Sequence, residues 1–259
     1  MLLNYRLLVV ACFVACNNVS PGDKLKVPAT HVAQSNTENP YKTVSEIPLP
    51  TGYTSKINKG SFAEWLNNIE LKKDKTVYKY DGTVKQNQHA QFAVLNISVG
   101  NKNLQQCADA VMRLRAEYLY HANRFAEISF IDNNIVYYNF HPPYTRNNFT
   151  AYLEKVFGMC GSASLAKQLK LQINIKHVEA GDVLIRGGFP GHAVIVLKVA
   201  ANEKGEKIYL LAQSYMPAQN IHILKNPSDK LLSPWYKVSE EKNIETPEYT
   251  FTKYELKRW

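Results

Sequence analysis

The run of predicted strands between residues 182 and 224 most constrains what this chain can fold into. Residues 192–200 are apolar on both alternating faces except at Lys198, which is typical of a strand that is covered on both sides. Strands of similar composition are predicted at 182–186, 207–215 and 220–224. Because short connections join these segments, the sequence predicts a sheet of neighbouring strands around a buried central one.

The helices are predicted to precede most of this sheet. Cys107, Val111, Leu114 and Tyr118 recur at the spacing of one helix face, and Asn103 is predicted to cap that helix with Gln106 completing a capping box. Other elements are predicted as a helix after Ser61, a hairpin around Asp81-Gly82, a strand at 91–99, and helices at 148–158 and 164–171. Helices early and adjacent strands late indicate an α+β fold.

The N-terminus has the pattern of an export signal. Arg6 carries the only charge in the first fifteen residues, and a short apolar run follows and ends at Phe13-Val14-Ala15-Cys16. This ending resembles the lipobox of bacterial lipoproteins, in which the cysteine is acylated. We therefore predict a signal peptide at 1–15, a lipid anchor on Cys16, a flexible tether at 16–46 and one globular domain at 47–259. An ordinary secretory peptide cut elsewhere is the alternative.

The basic excess of the chain is spread along it rather than concentrated. The net charge is +9, and the lysines occur mostly in scattered pairs. Scattered charge favours a solvated surface, with an anionic envelope surface as the next interpretation, and it does not predict nucleic-acid binding. Together with the signal pattern, it predicts an exported protein that is membrane-anchored in the periplasm or at the cell surface.

Only two cysteines remain once Cys12 leaves with the signal peptide and Cys16 carries lipid. The sequence leaves two alternatives for Cys107 and Cys160: they form one disulfide, or at least one of them is a free thiol with a chemical role. Cys107 lies in the opening turn of a predicted helix, where free backbone N–H groups and the helix dipole favour the thiolate. The alternative role for Cys107 is that of a small buried apolar side chain.

Two polar residues interrupt the predicted sheet. His192 opens its strand directly after Gly191, where an imidazole can accept a proton from a thiol and a glycine allows close approach. Gln213 interrupts an apolar strand that should pair with the His192 strand, and a buried amide there needs hydrogen-bond partners. Both residues also have a purely structural interpretation, since backbone groups at strand ends can satisfy them.

The order of these motifs resembles that of papain-like cell-wall cysteine hydrolases, including the CHAP amidases. Gln106-Cys107 resembles their Gln-Cys pair, and Gly191-His192-Ala193-Val194-Ile195-Val196 resembles their histidine strand. The resemblance implies a core helix packed on an antiparallel sheet, with Cys107 as nucleophile, His192 as general base, Gln213 as orienting residue and Gln106 near an oxyanion site. The chain departs from that family in two ways. The 85 residues between cysteine and histidine imply a helical insertion, and glutamine replaces an acidic residue or asparagine.

A longer resemblance supplies a family without an activity. Gln105-Gln106-Cys107-Ala108-Asp109, Gly188-Phe189-Pro190-Gly191-His192 and Gln213-Ser214-Tyr215-Met216-Pro217 resemble a family of bacterial lipoproteins defined only as a domain of unknown function, DUF4846. This likeness extends over nearly all of residues 47–255.

Two functions remain open at the level of sequence. The first is a lipid-anchored cysteine peptidase or amidase that acts on cell-wall peptides, and the second is a non-catalytic envelope lipoprotein that binds a partner or glycan. No cofactor is expected, and the histidines show no zinc-ligand spacing, so no metal is predicted either.

Overall fold

The computed structural model describes residues 38–259, and these belong to one compact unit. The predicted signal peptide, the lipid site Cys16 and most of the predicted tether lie outside the described residues. Residues 38–46, which the sequence assigned to the tether, pack on the domain: Val44 is fully buried, and Thr43 forms a bridge with Glu70. The domain therefore begins before Ile47, because this segment pairs with backbone further along the chain.

The described residues contain thirteen strands. In chain order they are β1 (Tyr53–Thr54), β2 (Gln91–Val94), β3 (Ser129–Ile131), β4 (Tyr137–Asn139), β5 (Lys170–Leu171), β6 (Val183–Arg186), β7 (His192–Asn202), β8 (Lys207–Gln213), β9 (His222–Leu224), β10 (Tyr236–Lys237), β11 (Asn243–Glu245), β12 (Thr250–Thr252) and β13 (Leu256–Arg258). One antiparallel sheet has the order β2-β9-β8-β7-β6-β13-β5, with β1 added to β7 and β10 to β8. The β3–β4 and β11–β12 pairs are separate.

Four α-helices are present among the described residues. They are α1 (Phe62–Asn67), α2 (Cys107–His121), α3 (Arg146–Met159) and α4 (Ser162–Gln168). Ser61 caps α1 as predicted, because its side chain accepts the Glu64 N–H. Helix α3 starts earlier than predicted, since Thr145 provides its N-cap by accepting the Asn148 N–H. Helix α2 packs across β7 and positions the site described below.

The predicted cap of α2 is wrong. Gln106, not Asn103, is the N-cap residue, and its N–H donates to Asp109 Oδ2 at 3.0 Å. Asn103 Oδ1 instead accepts the Ala218 N–H at 2.8 Å and so links this loop to the segment after β8. As a consequence Cys107 is the first residue of α2.

Strand β7 is buried on both faces, as its composition predicted. Ala193, Ile195 and Leu197 face the larger core, which contains the apolar residues of α2. Val194 and Val196 face a smaller core on the other side of the sheet. The predicted α+β class and the neighbouring strands β6 to β9 are confirmed, with antiparallel pairing throughout.

Several predicted elements differ in extent from those observed. The strand predicted at 91–99 is limited to β2 at Gln91–Val94, and the helix predicted at 164–171 is α4 at Ser162–Gln168, followed by β5. The hairpin around Asp81-Gly82 is reduced to a turn with a single bridge between Tyr78 and Val84.

Strand β8 ends at Gln213 rather than at 215, and the Ser214 hydroxyl, next in the chain, donates to the carbonyl oxygen of Gln105 at 2.9 Å. This bond ties the end of β8 to the loop that leads into α2.

Candidate functional site

The Cys107 thiol lies where the start of α2 meets the start of β7. Its side chain is buried, and the backbone N–H groups of Ala108, Ala193 and Cys107 itself act to lower its pKa. Ala193 directly follows His192 in β7. The fold therefore brings the predicted nucleophile near the residue next to the predicted base, although Cys107 and His192 are 85 positions apart in the chain.

Cys107 opens into a cavity of about 220 Å³. Asp109 and Cys160 line its wall, and both cysteines are free thiols, so the disulfide left open by the sequence is not formed. Phe189 and Met216, which are 94% and 49% exposed, also contribute to the lining. A thiol, a carboxyl group and two accessible apolar side chains therefore share one small cavity.

Gly191 keeps the loop beside this cavity tight. A Cβ atom at this position would clash with the carbonyl oxygen of Gly188 and come within 2.7 Å of Ser162 Oγ. Both contacts lie inside van der Waals distance, so any side chain at position 191 would push the loop away. The predicted close approach at this glycine is confirmed.

The His192 ring is almost fully buried and is held by Gln213. His192 Nε2 lies 2.8 Å from Gln213 Oε1, and Gln213 Nε2 donates to Glu248 Oε2 at 2.8 Å. The ring stacks on Phe251 and lies 4.7 Å from the Tyr215 ring, centroid to centroid. The predicted contact between histidine and glutamine is therefore present in the fold.

These contacts determine which ring nitrogen of His192 carries the proton. Glu248 accepts hydrogen bonds, so Gln213 must turn its NH₂ group toward Glu248 and its oxygen toward His192. That oxygen only accepts, so His192 Nε2 carries the proton and Nδ1 keeps its lone pair. A neutral imidazole in this tautomer is ready to accept a proton at Nδ1.

A lysine and a second histidine complete the polar cluster behind Gln213. Lys85 Nζ donates to Glu248 Oε2 at 2.6 Å and lies 3.5 Å from His222 Nε2. His222 Nδ1 lies 2.9 Å from the Asn220 carbonyl oxygen, so it carries the proton and Nε2 accepts. The cluster has one cation and one anion in contact and no net charge.

The electrostatics of the two reacting groups describe a neutral resting pair. Burial lowers the pKa of His192 to about 4, against smaller opposing effects of the Gln213 hydrogen bond and the Glu248 charge. Burial raises the pKa of Cys107, with a further rise from Asp109 and a partial offset from the backbone N–H groups. The expectation that the helix start favours a thiolate is therefore wrong for the resting site, because burial and Asp109 outweigh those N–H groups.

The two side chains approach the end of β7 from different faces. Cys107 comes from the side of α2, whereas the His192 ring lies with Phe251 on the side of the smaller core. Tyr215 is near both, since its ring contacts that of His192 and the Cys107 charge contributes to raising the Tyr215 pKa. Among residues 38–259 no hydrogen bond joins the Cys107 sulfur to the His192 ring, whose Nε2 is paired with Gln213.

Nearly all of the described residues match the model of one protein family. The model of domain of unknown function 4846 (DUF4846) matches residues 44–145 and 131–258. The chain belongs to this family. No curated protein and no solved structure matches the chain.

The remaining predicted residues of this DUF4846 domain are placed as follows. Gln106 lines the Cys107 cavity, and its amide nitrogen donates to Asn103 Oδ1 at 3.3 Å. Cys16 lies outside the described residues. Within residues 38–259, no cluster of three or more His, Cys, Asp or Glu side chains could hold a metal ion. In the same range, no helix is long and apolar enough to cross a membrane.

Sequence analysis missed the residues behind Gln213. Glu248 lies in a turn between β11 and β12, and Lys85 lies in an irregular segment 163 residues earlier, so no local pattern links them. The sequence around His222 contains no pattern that would place it in this cluster. A buried amide in a strand was the one available signal, because such a group requires further polar partners.

Proposed function

We propose that this DUF4846 domain is a papain-like cysteine hydrolase that cleaves an amide bond, exported and held at the membrane by a lipid on Cys16. The observation that carries the proposal is that Cys107, the first residue of α2, lies near the start of β7, where Gln213 fixes the tautomer of His192. A thiol and an oriented neutral base at a helix–sheet junction suit nucleophilic catalysis.

In the proposed reaction, Cys107 sulfur attacks the carbonyl carbon while its proton passes to His192 Nδ1. The new C–S bond converts the carbonyl oxygen to an oxyanion, which the backbone N–H groups at the start of α2 are placed to stabilise. The C–N bond then breaks, and the proton on His192 goes to the leaving amine. Water, deprotonated by His192, hydrolyses the thioester and restores the thiol.

The polar cluster places a negative charge near His192, which a glutamine alone does not provide. Gln213 is neutral and cannot stabilise an imidazolium by charge, but Glu248 lies directly behind it and raises the pKa of His192. In hydrolases with an acidic third residue, the negative charge is bonded directly to the histidine. Here the negative charge lies on Glu248, one hydrogen bond further from His192. Lys85, which forms an ion pair with Glu248, partly cancels the effect of that charge on the pKa of His192.

The proposed substrate is a peptide of the cell wall, by analogy with the hydrolases that the motifs resemble. A cavity of about 220 Å³ holds a group of amino-acid size, and Phe189 gives it an exposed apolar wall. Longer parts of the substrate would lie outside the cavity.

The non-catalytic alternative has one specific observation in its favour. Cys107 is only 8% exposed, and its raised pKa leaves it a thiol at neutral pH. A buried neutral thiol is also what a structural cysteine would be. In that case the domain would be an envelope lipoprotein that binds a partner or glycan.

Alkylation of Cys107 separates these two functions. We expect iodoacetamide at pH 8 to label Cys107 in the full chain, measured on its peptide by mass spectrometry, and His192→Ala to slow labelling at least about tenfold because the base is lost. The control is His121→Ala, an exposed histidine at the other end of α2, which should leave the rate unchanged. A rate independent of His192 would favour the binding protein.

Lipid anchoring is tested separately. Incorporation of labelled palmitate into the expressed chain should be lost in Cys16→Ala and retained in Cys12→Ala. Incorporation that survives Cys16→Ala would contradict the anchor without bearing on the hydrolase.

A further inference from the structure

A second cavity, of about 470 Å³, lies at the end of β9 and shares no lining residue with the Cys107 cavity. Its lining includes His89, Phe92, Lys225, Lys230 and Ser233, and we call it the β9 cavity. No acidic residue of the described range 38–259 lines it. Each of three other cavities, including that of Cys107, has at least one carboxyl-bearing residue in its lining. The β9 cavity is therefore the basic one among these four.

The basic side chains of the β9 cavity have no partner within residues 38–259. The side chains of Lys225, Lys230 and His89 are exposed, and none forms an ion pair or a hydrogen bond there. Asp229, the chain neighbour of Lys230, does not line the cavity, and its Oδ1 accepts the N–H groups of the two residues after Lys230. Because positive charges that share a cavity repel each other, a bound anion would stabilise this arrangement.

The backbone fixes the positions from which these side chains extend. The Lys225 N–H donates to the carbonyl oxygen of Ala90 at 2.9 Å, so Lys225 lies beside the residue that follows His89. The buried Asn226 then shapes the loop that leads to Lys230, since its Oδ1 accepts two backbone N–H groups of that loop at 2.9 and 3.2 Å. A site on ordered backbone loses less conformational entropy when a ligand binds.

A hydroxyl group and apolar side chains complete the β9 cavity. Ser233 Oγ accepts the Asn226 N–H at 3.0 Å, and its own hydrogen has no acceptor among residues 38–259. Phe92, Pro227 and Pro247 are apolar parts of the lining. The cavity therefore combines cationic side chains and a free hydroxyl donor with an apolar surface.

We propose that the β9 cavity binds the phosphate group of a phosphomonoester, whose organic part lies on Phe92 and the two prolines. A phosphomonoester has a charge of about −1.5 to −2 at neutral pH and three terminal oxygens, which match two ammonium groups, an imidazole and a hydroxyl. A carboxylate has one charge and two oxygens, so it satisfies fewer of these donors. Because the cavity shares no residue with the Cys107 site, such a ligand binds whether or not the domain is a hydrolase.

The test compares ligands that differ only in the anionic group or only in the apolar part. We expect calorimetric titration of the full chain, at constant ionic strength, to show that phenyl phosphate binds at least about tenfold more tightly than benzoate. Inorganic phosphate should bind more weakly than phenyl phosphate, because it leaves the apolar lining uncovered. Benzoate that binds as tightly as phenyl phosphate, or no binding of phenyl phosphate, would overturn the proposal. Equal affinities of the two phosphates would contradict the role of Phe92.

Variants assign the binding to this cavity. Lys225→Gln combined with Lys230→Gln should weaken the binding of phenyl phosphate at least about tenfold, since two charged donors are lost. Both side chains are exposed, so the fold should persist. The matched control is Lys204→Gln combined with Lys242→Gln, which removes the same charge from two exposed lysines outside the cavity and should keep the affinity. Equal weakening in both double variants would mean that net charge alone attracts the ligand, which contradicts the proposed site.

A soluble ester and a lipid headgroup both carry this phosphate group, and vesicles distinguish the two sources. The full chain is sedimented with phosphatidylcholine vesicles that contain or lack phosphatidic acid, so that any contribution of the predicted anchor cancels. Additional binding to phosphatidic acid that is lost in the Lys225 and Lys230 double variant supports the site with a lipid ligand. Binding of phenyl phosphate without additional vesicle binding supports it with a soluble ligand, and the absence of both overturns it.

Discussion

Cys107 and Cys160 share one cavity but differ in what surrounds their sulfur atoms. Each residue is 8% exposed, and burial and the Asp109 charge raise the pKa of each thiol. The backbone N–H groups of Ala108 and Ala193 act on the Cys107 thiol and partly offset this rise in its pKa. Among the described residues no such donor acts on Cys160, and its pKa rises to about 12.

This difference shows that burial alone does not decide the chemistry of a thiol. Directed hydrogen-bond donors at a helix start and a strand start distinguish two cysteines of equal exposure. Cys160 lies at the end of α3, where the helix offers carbonyl groups rather than N–H groups. The orientation of the backbone therefore separates a candidate nucleophile from a packing residue.

The largest expected effect is a direct comparison of the two thiols. At pH 8, a pKa of about 12 leaves only about one Cys160 in 10⁴ ionised. We therefore expect iodoacetamide to label Cys107 faster than Cys160 in the same sample, measured peptide by peptide. Cys160→Ser should leave the Cys107 rate unchanged. Equal labelling rates would mean that the backbone N–H groups near Cys107 do not make the two thiols different.

The next effect tests the cluster behind His192. Glu248→Gln should lower the free energy of unfolding by about 3–5 kcal/mol, because it leaves the Lys85 ammonium buried and unpaired. The double variant Lys85→Met with Glu248→Gln should recover most of this loss in chemical denaturation. It should not recover the Cys107 labelling rate, since the charge behind Gln213 is still missing. Full recovery of that rate would show that Glu248 acts only on stability.

The smallest effect is a pH dependence of stability that belongs to the His192 side of the site. The folded pKa of His192, about 4, lies below its unfolded value of 6.5, so the unfolded state binds more protons between these values. Stability should therefore fall as pH decreases from about 6.5 to about 4, by about 3 kcal/mol for this group.

The pH effect is measured as a difference between variants. His192→Gln should flatten the decline relative to the wild type, whereas Cys160→Ser should keep it. His222, with a folded pKa of about 3, adds a further decline that both proteins share. An unchanged slope in His192→Gln would mean that this imidazole is already charged in the folded state.

Much of the sheet could be predicted because the pattern of apolar residues within each strand indicates which of its faces are buried. The apolar residues of β7 on both parities indicated a strand covered on both faces, and His192 and Gln213 were placed on paired strands. The start of α2 was predicted less well, because Asn103 has the composition of a cap but its oxygen bonds Ala218 instead. Which residue caps a helix depends on the path of the surrounding chain. Sequence spacing alone does not reveal that path.

The sequence by itself determined the α+β class and the buried central strand, since each depends on residues close together in the chain, whereas the pair Cys107 and His192 was predicted through a resemblance of motifs. The tertiary structure alone decided that Cys107 lies near Ala193, that Lys85 and Glu248 lie behind Gln213, and that Asp109 lines the same cavity as two thiols. The physical reason is that burial, hydrogen bonding and charge act through space, and the groups that set these pKa values are far apart in the sequence.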